Sequence, residues 1–197
     1  MLEILTACTG NVCRSPFAEV LLQAELPQLT VRSAGVRALI DAPMEPDAAR
    51  LARRYGIPEE PLAAHRGRWL KESHLVTPDL VLAMTREHRR DIVELAPAKV
   101  RATFTVREFA RLSSHLTDAE ARETADAAGT DPAARLRALL TQLAALRAEV
   151  APPANPADDD VIDPYRRSWS TYELMATQLM PALGQVVRLL RVAAPAA

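Results

Sequence analysis

The sequence predicts an α/β fold on a four-stranded parallel sheet with helices on both faces. Three observations carry that expectation. Short apolar runs alternate with amphipathic helical segments over the first 109 residues. One run, Leu80-Val81-Leu82-Ala83, is apolar at every position, as in a strand covered on both sides. Gly, Asn, Ser and Pro separate the first runs from the helices that follow them.

Leu2 to Ala7 reads as the first strand, and it ends at a loop with Gly10 and Asn11. Ser15-Pro16 then opens a helix carrying Phe17, Val20, Leu21 and Ala24 on one face, because Ser can cap and Pro suits the first turn. A second strand is expected at Leu29 to Arg32, followed by a loop with Pro43 and Pro46. Next comes a helix from about Asp47 to Tyr55, capped by Gly56 in the left-handed conformation. Residues 80 to 83 and 86 to 95 repeat the strand and helix, and the Val- and Thr-rich stretch 100 to 106 supplies a fourth strand. Right-handed crossovers between such strands give the parallel sheet.

Beyond Phe109 the strand signals stop. Residues 117 to 149 are an Ala-, Leu- and Arg-rich helical stretch broken at Gly129 to Pro132. A Pro-rich loop at 152 to 156 and the acidic run Asp158-Asp159-Asp160 lead to a last helix near 170 to 192. The acidic run is expected to be a solvated loop.

Composition narrows the function classes. The 24 basic and 25 acidic side chains leave a formal charge of -1, so no basic field suggests nucleic acid or anionic lipid. No signal peptide is read at the start, where Glu3 interrupts the apolar residues. No uncharged apolar run reaches membrane-spanning length, since Arg188 and Arg191 break the C-terminal stretch. A cytoplasmic protein without membrane or nucleic-acid partners is expected. Cys8 and Cys13 are the only cysteines, which excludes a disulfide scaffold and turns attention to thiol chemistry. His74, His88 and His115 have no ligand-like spacing, so no metal or other cofactor is expected.

The chemistry concentrates in Cys8-Thr9-Gly10-Asn11-Val12-Cys13-Arg14-Ser15. A thiol at a strand end is followed, six residues on, by an arginine where a helix begins. The five intervening residues can curl so that successive N–H groups face one centre, an oxyanion nest reinforced by the helix N-terminus. Arg14 can hold two phosphate oxygens with its planar fork, and the same positive field favours a thiolate at Cys8. A chance match would read as a buried cysteine and a surface arginine. The strand before the motif and the Ser-Pro helix start after it argue for the active reading.

These residues, with Pro16 and the Ala18-Glu19 pair, resemble the signature Cys-x-Gly-Asn-x-Cys-Arg-Ser-Pro of the low-molecular-weight protein tyrosine phosphatase family. The resemblance continues through Val31 to Gly35, His65-Arg66-Gly67-Arg68, Asp79 to Met84 and Asp163-Pro164-Tyr165, covering residues 1 to 109 and 158 to 192. It implies sheet order 2-1-3-4 and a single phosphatase domain over residues 1 to 192. That domain carries a helical insertion at about 112 to 157, and residues 193 to 197 are a disordered tail.

For chemistry, the resemblance implies a metal-independent hydrolysis of phosphotyrosine in a phosphoprotein substrate. Cys8 attacks phosphorus, Arg14 and the amides of residues 9 to 15 bind phosphate, and Asp163 protonates the leaving group before activating water. A carboxyl group beside bound phosphate is well placed for that proton work. Taken alone, Asp163 is equally the first residue of a solvated Asp-Pro turn. Asn11, Ser15, Ser33 and His65 match positions that hold the loop by hydrogen bonds. By themselves Ser15 reads also as a helix cap and His65 as a core histidine. Cys13 matches a cysteine able to form a reversible disulfide with the nucleophile, and otherwise reads as packing.

The chain departs from the family pattern at the substrate walls. Family members carry aromatics after Ser-Ala-Gly and after Asp-Pro-Tyr, where this chain has Val36 to Ile40 and Arg166-Arg167. Leu39 and Tyr165 remain to sandwich a ring, with Trp169 as a further candidate. Arg166 is open to two roles, recruiting acidic flanking residues or facing solvent. Thr9-Gly10-Asn11 also resembles protein-arginine phosphatases, which favour threonine where Val12 stands. An arsenate reductase would need relay thiols after Cys13, and a non-catalytic phosphate-binding module would need neither Cys8 nor Asp163. In the insertion, Leu136, Leu139, Leu140, Leu143 and Leu146 form one helical face that must be buried. It packs on the parent domain or serves a homodimer or partner contact.

Overall fold

A computed structural model describes residues 1–194. Four parallel strands, β1 (Glu3–Cys8), β2 (Thr30–Gly35), β3 (Leu80–Ala83) and β4 (Thr103–Thr105), lie in the order β2-β1-β3-β4. Ile4 stands opposite Val31 and Leu80, and Cys8, at the end of the central strand, opposite Gly35. The expected class and order are both found.

Among the described residues eight α-helices surround the sheet: α1 (Arg14–Glu25), α2 (Pro46–Arg54), α3 (Glu59–Ala64), α4 (Arg86–Leu95), α5 (Val106–Ser113), α6 (Asp118–Ala127), α7 (Pro132–Leu146) and α8 (Trp169–Ala193). Strand alternation divides the core. Ile4, Leu80, Leu82 and Phe104 join the large core with α1, α5, α7 and α8, while Leu5, Ala7, Val81 and Ala83 join a smaller one with Ile92 of α4. No helix of the described residues is long and apolar enough to cross a membrane.

Several boundaries differ from expectation for identifiable reasons. The strand expected at 100 to 106 is only three residues long, because Pro97–Ala102 forms a 3-10 turn and Thr105 caps α5. Its hydroxyl accepts from Glu108 N while Glu108 returns to Thr105 N, a capping box that stops the strand. The second strand runs on to Gly35, whose N–H donates to Arg68 O and whose carbonyl accepts from Leu70 N. Helices α3 and α5 were not expected from periodicity.

Of the acidic run, expected to be solvated, only Asp158 is exposed. Asp159 is buried and pairs with Arg111 at 2.9 Å, and Asp160 accepts from the N–H and guanidinium of Arg86. The nearby arginines of α4 and α5 recover the solvation these carboxylates lose. Two residues expected in the disordered tail are ordered: Ala193 ends α8 and Ala194 caps it, both buried, while 195–197 lie outside the described residues.

The helical stretch expected at about 112 to 157 forms α6 and α7, while residues 112 and 113 still belong to α5. Thr117 and Glu120 form a capping box, Gly129 adopts φ 94°, and Asp131 caps α7 through Ala133 N and Ala134 N. Leu136, Leu139, Leu140 and Leu143 are buried in the large core. Arg147 closes the unit, donating to Glu108 and Thr103 O with its guanidinium 4.2 Å from the Phe104 ring centre. Leu139→Ala should therefore cost about 2–5 kcal/mol in a urea melt. A loss below ~0.5 kcal/mol, the size of a surface change, would mean that this face is not packed.

Candidate active site

The loop from Cys8 to Cys13 is shaped by what holds its carbonyl groups. Cys8 O accepts from Val36 N, Thr9 O from Arg37 N, Gly10 O from Leu39 N, Val12 O from Glu45 N and Cys13 O from Phe17 N. Asn11 O accepts from His65 Nε2 at 2.7 Å. Every carbonyl of the loop is thus drawn outward. Because each peptide unit is planar and trans, the N–H groups are turned toward the opposite, inner side. Asn11 sits at φ 55°, a left-handed conformation that asparagine tolerates and that tightens the curl. Helix α1 begins at Arg14 and adds its own free N–H groups.

A hydrogen-bond chain beneath the loop fixes its polarity. Ser33 Oγ donates to Glu19 Oε2, so it can accept, and Asn11 Nδ2 donates to it at 2.7 Å. The same amide donates to Ser15 Oγ at 2.9 Å, leaving the Ser15 hydroxyl proton for the Cys8 sulfur at 3.0 Å or for Ala34 O at the longer 3.4 Å. Asn11 Oδ1 accepts from Arg68 N, which forbids the flipped amide. Asn11 N–H adds a second donor to Cys8 Sγ at 3.3 Å. Both contacts converge on a sulfur that is itself buried. His65 is held below the usual histidine range by burial, opposed by its bond to Asn11 O and by Glu19. It is neutral near pH 7 and donates from Nε2.

Arg14 is nearly fully buried and is held on two sides. NH1 donates to Val161 O at 3.1 Å, and NH2 donates to Asp163 Oδ2 at 2.7 Å and to Thr9 Oγ1 at 3.2 Å. Its Nε is buried and has no partner among the described residues, a donor left over for a ligand. Asp163 is half-exposed and forms a turn in which Oδ1 accepts from Tyr165 N. The acidic run fastens this turn: Val161 N bonds Met84 O, and Arg107 donates to Asp160 O.

These groups line a cavity of about 130 Å³, with Cys8 and Arg14 at its floor and Leu39, Arg37, Tyr165 and Asp163 at its walls. A larger hollow, about 780 Å³ between α1, α6 and α8, lies elsewhere and has no cysteine or histidine in its lining. Chemistry follows the smaller one. Arg166 adopts φ 58° and places its guanidinium 5.1 Å from the Tyr165 ring centre. Trp169 does not line the cavity; it stacks on Tyr172 beneath Arg50 and Arg54.

Cys13 is turned to the Tyr172 hydroxyl, 3.8 Å away, and burial pushes its thiol up to about 12. It would have to leave that contact to reach Cys8. Sequence reasoning passed over two residues. Glu19 anchors the hydrogen-bond chain, and only its place in the Ala18-Glu19 pair marked it. His88, seen only as a histidine without ligand spacing, is buried with Nε2 2.8 Å from Thr9 Oγ1. Burial and then Arg14 push it down to about 4, with Glu87 and Asp163 opposing and Arg37 assisting.

The family model of low molecular weight phosphotyrosine protein phosphatases matches residues 3–145. The low molecular weight protein-tyrosine-phosphatase Etp of Escherichia coli K12 is 43% identical over 95 residues, 48% of this chain and 62% of that protein. The match therefore spans less than two thirds of that relative's length. A protein-arginine-phosphatase of Geobacillus stearothermophilus is 42% identical over 108 residues, 54% of this chain and 70% of the relative. Among solved structures, the low molecular weight protein tyrosine phosphatase of T. tengcongensis superposes with a TM-score of 0.65 at 26% identity, covering 95% of this chain and 98% of that one. The YwlE arginine phosphatase of G. stearothermophilus gives 0.65 at 27%, covering 95% and 91%.

Two outcomes test this geometry. A Cβ on Gly35 would lie 2.5 Å from Thr9 O and 3.0 Å from Asn11 N, so Gly35→Ala must push the loop. Phosphate affinity measured by calorimetry should fall at least ~tenfold, the equivalent of ~1.4 kcal/mol, and an unchanged value would contradict the packing. His88 has a folded-state value below its unfolded one, so it binds fewer protons when folded. Its contribution is full above about pH 6.5 and is lost as pH falls toward 4, by up to ~3 kcal/mol. Unfolding free energies from pH 7 to 4 should slope less in His88→Gln than in wild type.

Proposed function

The chain belongs to the low molecular weight phosphotyrosine protein phosphatase family, and from that premise we propose that it hydrolyses phosphotyrosine in protein substrates through a cysteinyl-phosphate intermediate. The observation that carries this reading is the loop whose carbonyls all bond outward around the buried Cys8 sulfur, with an unpartnered donor on Arg14 beside it.

In this mechanism the phosphoryl oxygens occupy the inner N–H groups of residues 9 to 15 and the Arg14 fork, which neutralise charge without reorganising. The Cys8 thiolate, held by Ser15 and Asn11 N–H, forms an S–P bond as the P–O bond to the phenol breaks. Asp163 supplies the proton to the departing oxygen. Its carboxylate pairs with Arg14 at 2.7 Å. A phosphate dianion competes for that guanidinium and sets negative charge beside the carboxylate, conditions that favour a proton on Asp163. The ionised Asp163 then takes a proton from water, which attacks phosphorus and releases Cys8.

Leu39 and Tyr165 are the proposed walls for the substrate ring, and Arg166, over Tyr165, faces the flanking peptide. The reducing cytoplasm fits this chemistry, because both cysteines are free and the nucleophile must stay reduced. A second reading, phosphoarginine hydrolysis by the same machinery, is favoured by the similarity to the G. stearothermophilus protein-arginine-phosphatase.

Turnover of para-nitrophenyl phosphate in EDTA tests the mechanism. Cys8→Ser should abolish it, and Asp163→Asn should lower kcat by ~10²–10⁴. Wild type without turnover would overturn the assignment. Phosphotyrosine and phosphoarginine peptides compared by kcat/KM then decide between the two substrates.

A further inference from the structure

The Thr9 side chain links two buried groups that the mechanism above leaves unrelated. Arg14 NH2 donates to Thr9 Oγ1 at 3.2 Å, and His88 Nε2 lies 2.8 Å from the same oxygen. With the guanidinium donating to it, the hydroxyl proton has the imidazole nitrogen as its partner. Among the described residues that nitrogen is the one acceptor within reach of the Thr9 proton, so the arrangement that uses the proton runs from Arg14 to Thr9 to His88. His88 is fixed in turn by the start of α4, where its backbone N–H donates to Thr85 Oγ1 at 3.2 Å. Its Nδ1 is buried with no partner among the described residues. A histidine kept at such a cost, with one nitrogen unsatisfied and the other aimed at the phosphate loop, is poorly explained by packing alone.

We propose that His88 is a positioning residue for the phosphate site, setting through the Thr9 hydroxyl the plane in which Arg14 presents its free donors. Val161 O and Asp163 hold two other points of the guanidinium, and of these Asp163 must let go when substrate binds. Thr9 is then the acceptor that stays on NH2 throughout the cycle, and His88 is the only other partner of its hydroxyl among the described residues. The same contact accounts for a neutral imidazole. As an imidazolium it could no longer accept from Thr9, and it would add a charge facing Arg14 and Arg37, against Glu87 and Asp163.

The inference rests on the phosphate-handling reading of the loop, so the test separates the two. Inorganic phosphate binding is measured by calorimetry, and para-nitrophenyl phosphate kinetics by initial rates, for wild type, His88→Ala, His88→Gln, Thr9→Val and the double variant Thr9→Val/His88→Ala. A wild type that neither binds phosphate nor turns over substrate overturns the functional reading and this inference with it. Given a working wild type, His88→Ala should raise the phosphate Kd and the KM about tenfold, with kcat within about threefold. His88→Gln, which can still accept from Thr9, should recover most of the affinity. Thr9→Val should match His88→Ala, and the double variant should be no worse than either single one. If His88→Ala does not fold, the Thr9→Val and His88→Gln arms carry the same expectations. A fall in kcat at unchanged KM and Kd, additive single effects, or affinity unaltered in Thr9→Val would each overturn the proposal.

Discussion

The outward bonding of the Cys8 to Cys13 carbonyls is the constraint on which the rest of this structure depends. A loop that points its N–H groups at one centre has nothing of its own to hold that shape, since the inward dipoles repel one another. Here the restraint comes from four places. Val36, Arg37 and Leu39 follow β2, Glu45 caps α2, His65 follows α3, and Phe17 lies in the first turn of α1. The sheet order makes this possible, because β2 beside β1 brings the chain after Gly35 against the loop. Gly35 is required there, since a side chain would enter Thr9 O and Asn11 N.

The polar chain from Glu19 through Ser33, Asn11 and Ser15 to Cys8 follows from the same placement. Each hydroxyl in it has one proton to give, so the Glu19 carboxylate sets the direction at Ser33, and Arg68 N, bound to Asn11 Oδ1, sets the direction of the amide. The energetic consequence is that a buried sulfur receives donors and no acceptor. Removing one member leaves a buried amide or hydroxyl unpaired, which costs more than the bond itself contributes. A network of this kind is cooperative and intolerant of partial loss.

On the other side of the cavity, the Asp163 turn is held by charge. Asp159 and Asp160 reach Arg111, Arg86 and Arg107 on α4 and α5, and Val161 bonds to the end of β3. The turn follows α6 and α7, which themselves pack on α5 and α8 and close through Arg147 on Glu108. Those helices therefore share their anchor, α5, with the segment that carries Asp163.

The sequence by itself determined the strands and helices with strong local signals: Leu80 to Ala83, residues 86 to 95, the Gly56 cap, and the apolar face of α7. It also determined the chemical identity of the loop, because thiol, glycine, asparagine, arginine and Ser-Pro lie within nine consecutive positions, and motifs of that kind are local. Only the tertiary structure decided the rest. The extent of β2 and β4, the burial of Asp159, the anchoring role of Glu19 and the contact of His88 with Thr9, 79 positions apart, depend on neighbours distant in sequence. A carboxylate or an imidazole looks the same in the chain whether it meets water or an arginine. The folded neighbourhood supplies the partner, and the partner sets its protonation and its role.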